Sequence, residues 1–187
     1  MIHTKKHSAT VRSGFSLIEA LIAISILVIV VVGAMALVVT TGKQVEFSTE
    51  RVEATFLAQD AVEYVISKKQ QNVIDSSSDW LFGFKDCLVS SCGVDSTDNG
   101  GIGNGNNKYV ADMCGGSCDP LQYNENTKRF GYGSGSGWEE TKYTRVVDLE
   151  KIGGDEARLT VTVSWESRET GQTEEFVLKT NIFNTKL

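Results

Sequence analysis

The chain has 187 residues, 18 of them basic and 24 acidic, enough for one modest domain plus extra elements. Residues 1–14 hold Lys5, Lys6 and Arg12 and no acid, so the remainder carries 15 basic residues (18 − 3) against 24 acidic ones, a net −9. So acidic a body argues against nucleic acid as a partner, because such binding rests on cations that neutralise phosphates.

From Leu17 to Val39 the only strongly polar side chain is Glu19. A helix over this run is long enough to cross a hydrocarbon core of roughly 30 Å. A soluble domain of this size has little use for a helix that is apolar on every face. The basic flank precedes the run and the acidic bulk follows it, which places the N-terminus in the cytoplasm and the body outside. Ala34-Met35-Ala36 looks like a secretory cleavage site, but Leu37, Val38 and Val39 follow it directly and the run is too long for a secretory signal. Glu19 needs its own explanation, because a carboxylate inside a membrane helix costs about 2.5–3.5 kcal/mol and is by default functional.

The string Arg12-Ser13-Gly14-Phe15-Ser16-Leu17-Ile18-Glu19-Ala20 resembles the cleavage and methylation motif of type IV prepilins and type II secretion pseudopilins. The resemblance implies that a prepilin peptidase/methyltransferase cuts between Gly14 and Phe15 and methylates the new amine of Phe15. It assigns Glu19 a register role in assembly. The cationic Phe15 amine of a neighbouring helix, shifted along the axis, would pair with Glu19, and a buried charge is tolerable when paired. Membrane lipid before assembly, other pilin subunits and an inner-membrane assembly platform are the implied partners. The family's frequent proline kink is missing, since Pro120 is the one proline. Gly33 and Gly42 are the available soft points, where the helix either bends or tolerates the glycine.

Residues 43–69 contain no glycine or proline. Ala54, Leu57, Ala58, Ala61 and Val65 form one helical row, flanked by Val52, Phe56, Val62 and Ile66, while Glu46, Glu50, Arg51, Glu53, Asp60 and Glu63 lie largely elsewhere. This pattern predicts an amphipathic helix with one buried side. Residues 75–137 read as loops rich in Ser, Asn, Asp and Gly, with Trp80, Leu81, Phe82 and Phe84 able to pin them to the domain. Beyond residue 140 the period becomes two. Tyr143, Val147 and Leu149 share one face of a first strand, Leu159, Val161, Val163 and Trp165 one face of a second, and Phe176, Leu178, Thr180 and Ile182 one face of a third. An antiparallel meander follows, with the amphipathic helix as its cover. The tail also looks, more loosely, like the C-terminal strands of minor pilins.

Four cysteines occur as Cys87-x4-Cys92 and Cys114-x3-Cys118. Zinc sites more often space partners by two residues, and an even count in an exported loop region favours disulfides. The spacing leaves all three connectivities open. Asp95, Asp98 and Asn99 look a little like the start of a calcium loop, but Thr97 and Asn106 stand where the pattern wants Asp or Asn and Glu. No metal site is therefore assigned. Both histidines, His3 and His7, precede Gly14, so Ser-His and Cys-His catalysis is excluded from the mature chain. Nothing marks a carboxylate pair or a nucleotide loop, so neither an enzyme nor a cofactor is expected.

The expected fold is α+β and pilin-like, a long N-terminal helix packed on a C-terminal antiparallel sheet with a disulfide-bearing loop region. Its parts are a leader (1–14), a transmembrane or filament-core helix (15–40), an amphipathic helix (41–72) and a globular head (73–187), with strands over 141–183. The expected function is a structural subunit, a minor pilin, of a type IV pilus or related filament. The alternatives are a pseudopilin of a type II secretion or competence system, or a singly anchored exported binding domain.

Overall fold

The computed structural model describes residues 14, 16–75, 79–97, 109–168 and 170–185. The chain divides into two compact units, residues 1–45 and 46–187. Helix α1 runs Leu17–Ile74 and contributes to both.

In the first unit the helix is apolar and uncovered. Leu17, Ile29 and Val38 are 79%, 72% and 72% exposed, as large apolar side chains are along the whole run. Its hydroxyls are satisfied internally: Ser25, Thr40 and Thr41 donate to the carbonyls of Leu21, Ala36 and Leu37 at 2.8, 2.9 and 2.8 Å. In lipid this matters, because no water is present to take an orphaned donor. A side chain added at Gly33 or Gly42 would meet nothing within 4 Å.

The second unit is a sheet with the helix over one face. Strands β1 (Cys92–Val94), β2 (Val110–Met113), β3 (Pro120–Asn124), β4 (Arg129–Gly131), β5 (Trp138–Lys151), β6 (Glu156–Glu166) and β7 (Thr173–Phe183) form one antiparallel sheet among the described residues. Strand β5 organises it. One edge pairs with β6 over Tyr143–Lys151, and β6 in turn carries β7. The other edge is shared: β3 takes the first part of β5, through Asn124↔Trp138 and Pro120↔Thr144, and β1 takes Val147.

The periodicity of two puts Tyr143, Val147, Leu149, Leu159, Val161, Val163 and Trp165 on the buried face, as the alternation predicts. Ala54, Leu57, Ala58, Ala61 and Val65 of α1 pack into the same core, with Trp80, Leu81 and Phe84 joining from the following loop. Small side chains at three of those helical positions allow the backbone of α1 to approach the sheet closely, and Ala54, Ala58 and Ala61 are fully buried.

Three expectations change. Val52 and Phe56 do not flank the buried row but are exposed at 52% and 66%. Glu50, expected on the solvent side, is 5% exposed. The stretch 75–137, loop-like by composition, carries the 3-10 turn Asp86–Leu88 and the four short strands β1–β4. Strands of three to five residues are too short to register as an alternating pattern.

The cysteines pair locally, Cys87 with Cys92 and Cys114 with Cys118, five and four residues apart. The bridges do not join the two cysteine loops covalently. The strand pairing does so instead, through Cys92↔Met113 and the bond from Cys114 N to Ser91 O at 2.9 Å. Loops this short constrain the unfolded chain by roughly 2 kcal/mol each. Replacing Cys87 and Cys92 together by Ala should therefore lower head stability by about 2 kcal/mol. Urea unfolding in detergent, followed by tryptophan fluorescence, reads this directly, since Trp80, Trp138 and Trp165 all lie in the second unit.

Candidate functional site

At the N-terminus, Gly14 is exposed with open space around it. The carbonyl of Ser16 accepts the first helical bond, from Ala20 N at 3.1 Å, which makes Ser16 the cap and Glu19 a first-turn residue. Ser16 and Glu19 thus stand at the Ser-x-x-Glu spacing of a capping box, and an acid in the first turn complements the helix dipole. Glu19 is exposed. Phe15 and residues 1–13 lie outside the described residues, as do Asp98 and Asn99.

Asp95 is 6% exposed. Its Oδ1 accepts from Thr97 N at 2.8 Å and Thr97 Oγ1 at 2.6 Å, and its Oδ2 accepts from Tyr132 N at 3.1 Å. Gly131 lets the strand end come this close, because a Cβ there would lie 2.7 Å from Asp95 Oδ1. Asp95 is thus occupied in tying the end of β1 to the end of β4. Among the described residues no group of three or more His, Cys, Asp and Glu side chains could hold a metal ion.

Two charged assemblies in the second unit were not singled out by the sequence pattern. Arg145 is fully buried. Its Nη1 donates to Leu57 O at 2.9 Å and Asp60 Oδ2 at 2.8 Å, and its Nη2 to Val94 O at 2.8 Å. One guanidinium thereby joins α1, β5 and β1. The signal was its parity, since Arg145 occupies the inward position between Tyr143 and Val147. Replacement by Met should cost about 3 kcal/mol, because it leaves the buried carbonyls of Leu57 and Val94 without that donor. The same fluorescence-detected urea titration measures it.

Glu50 has the matching signal on the helix, one turn before Ala54 in the buried row. Its carboxylate accepts from Lys142 Nζ and from Trp165 Nε1, the latter at 3.2 Å. Beside it Tyr143 donates to Glu53 Oε2 at 2.6 Å, with Glu50 O 3.3 Å away. Burial opposes ionisation of Glu50, but the bonds from Lys142 and Trp165 and the Lys142 charge outweigh it and hold the carboxyl below its ordinary value. The Tyr143 phenol is pushed above its ordinary value, first by burial and then by the Glu53 carboxylate that accepts its proton.

A depressed carboxyl contributes stability that is present above the unfolded value, 4.5 for glutamate, and is lost as pH falls through the lower folded value. Glu50→Gln should therefore cost about 1.5–3 kcal/mol at neutral pH. It should also flatten the acid limb below pH 4.5. Unfolding measured across pH on both proteins checks the sign.

Residues 10–35 match the prokaryotic N-terminal methylation motif. That motif is the type IV pilin family signature, and the chain carries it. The pilin signature covers Gly14, Phe15, Glu19 and the first part of the apolar helix. It implies processing by prepilin peptidase and assembly with other pilins, in a family that is structural and not enzymatic. With the exposed apolar helix it describes a membrane-anchored protein of pilin-like layout. No curated protein and no solved structure matches the chain.

Proposed function

We propose that the chain is a prepilin cut between Gly14 and Phe15, methylated on the Phe15 amine, and built into a type IV pilus or related filament as a minor pilin. The observation that carries this reading is the methylation motif at residues 10–35, set directly on a helix whose large apolar side chains are exposed among the described residues. Lipid covers that helix before assembly, and neighbouring helices cover it afterwards. The leader faces the cytoplasm and the acidic head lies outside, at the cell surface or in the periplasm. The inner-membrane platform then extracts the subunit into the filament.

In this reading the domains are the leader 1–14, the filament-core helix 15–40, the amphipathic segment 41–72 and the head 73–187. Glu19 pairs with the Phe15 amine of a neighbouring subunit and thereby selects one axial stagger. A lone carboxylate in the core is costly, and pairing removes most of that cost. The chain performs no chemistry of its own.

Co-expression with a prepilin peptidase should convert the chain to a form whose N-terminus is methylated Phe15, read by mass spectrometry. Gly14→Val should abolish the conversion, and a mature N-terminus elsewhere would sink the proposal. Glu19→Ala should leave cleavage and membrane insertion intact but reduce incorporation into sheared filaments by about tenfold or more, the expected weight of one unpaired buried charge.

A further inference from the structure

A cleft of about 1090 Å³ opens in the second unit between α1, the β3–β4 hairpin, the start of β5 and the β6–β7 turn. Its apolar surface is aromatic. Tyr123 and Phe130 are cross-strand neighbours with ring centroids 5.0 Å apart, and Phe56 of α1 also lines the cleft, 66% exposed. Phe56 faces solvent although the helical row beside it is buried, so its exposure is not forced by a lack of core.

The charges lining the cleft divide by sign. Two of the four bases are paired with acids, Lys142 with Glu50 and Arg168 with Glu46, while Arg129 meets the carbonyl of Ser96 and Lys128 lies over the ring of Tyr123. Three acids that line the same cleft, Glu139, Glu140 and Glu166, have no partner among the described residues. Register places Glu139 directly opposite Tyr123, so one carboxylate without a partner among the described residues stands beside the aromatic pair, and Glu140, the next residue along β5, also lines the cleft. Ser167, 1% exposed, also lines the cleft, and its hydroxyl has no hydrogen-bond partner among the described residues.

We propose that this cleft docks a cationic peptide segment of a partner protein. Lysine or arginine heads would sit against Glu139, Glu140 and Glu166, and their stems and planes against Tyr123, Phe130 and Phe56. Arginine and lysine are the side chains that use both surfaces at once, through charge and through cation–π contact with aromatic faces. A second copy is the poorer occupant, because residues 46–187 carry 14 basic residues against 23 acidic ones and two such bodies repel. The cleft lies wholly within residues 46–187, so its occupancy is independent of processing at Gly14.

The test uses the full chain in neutral detergent and a fluorescein-labelled decapeptide of alternating arginine and serine, followed by anisotropy. Saturable binding is expected, with Glu139→Gln/Glu140→Gln weakening it about tenfold. Tyr123→Ala should weaken it as well. Glu63→Gln/Glu175→Gln makes the same charge change at exposed positions outside the cleft and should leave binding unaltered. Both glutamine pairs are exposed and leave the fold intact, so the comparison stands even if Tyr123→Ala unfolds. Absence of saturable binding overturns the proposal. So does equal weakening by the two glutamine pairs, which would mean general attraction to an acidic body. Self-association of the chain that is lost in Glu139→Gln/Glu140→Gln would also overturn it, by naming a second copy as the occupant.

Discussion

The head depends on one buried cation. Arg145 sits on the core face of the central strand, where alternation would otherwise place an aliphatic side chain, and it has no access to water. A charge there is tolerable only if the surrounding backbone and one carboxylate satisfy it. Leu57 O, Asp60 and Val94 O do so for the two Nη groups, from α1 and from β1, while Nε has no hydrogen-bond partner among the described residues. The requirement runs both ways. The guanidinium dictates where the helix and the short strand sit, and Asp60 is in turn held by Ser96 Oγ at 2.7 Å. Each element is thus placed with respect to β5 by bonds with direction, which apolar contact alone lacks.

Around that centre the packing is ordinary. A row of alanines brings the helix close to the sheet, and the aliphatic residues of β5 and β6 fill the space. The helix end and the loop that follows are tied by polar groups: Lys69 donates to Phe183 O at 2.8 Å, and Asn72 to Phe82 O at 2.7 Å. Glu50 and Lys142 close the opposite end of the buried helical row. Between Glu50 and Asp60 the helix turns Phe56 away from the core, and the space it lines beside the β3–β4 hairpin becomes the cleft. The same close approach that seats the alanine row leaves the larger side chains of the adjacent face outside.

The N-terminal motif needs none of this. Its residues are contiguous, and the apolar helix that follows it is a property of local sequence. For that reason the motif is readable without any knowledge of the head. The capping spacing of Ser16 and Glu19 is local in the same way, and it sets a carboxylate beside the positive end of the helix.

Determined by sequence alone were the features whose physical cause is periodic or contiguous. The methylation motif, the span after it, the alanine-rich row of α1 and the alternating faces of β5, β6 and β7 all follow from spacing. Tertiary structure alone decided the rest. Of the four short strands between residues 92 and 131, β1 and β3 pair with the long β5, β2 and β4 pair with β1 and β3 in turn, and none is long enough to show a period. The cysteines join within each pair, a choice among three connectivities that their spacing left open. Arg145 and Glu50 are buried because distant groups satisfy them, and Val52 and Phe56 are exposed because the closely seated alanine row turns their face away from the sheet. A charge reads as solvent-facing in sequence, and only the partners assembled by the fold can reverse that reading.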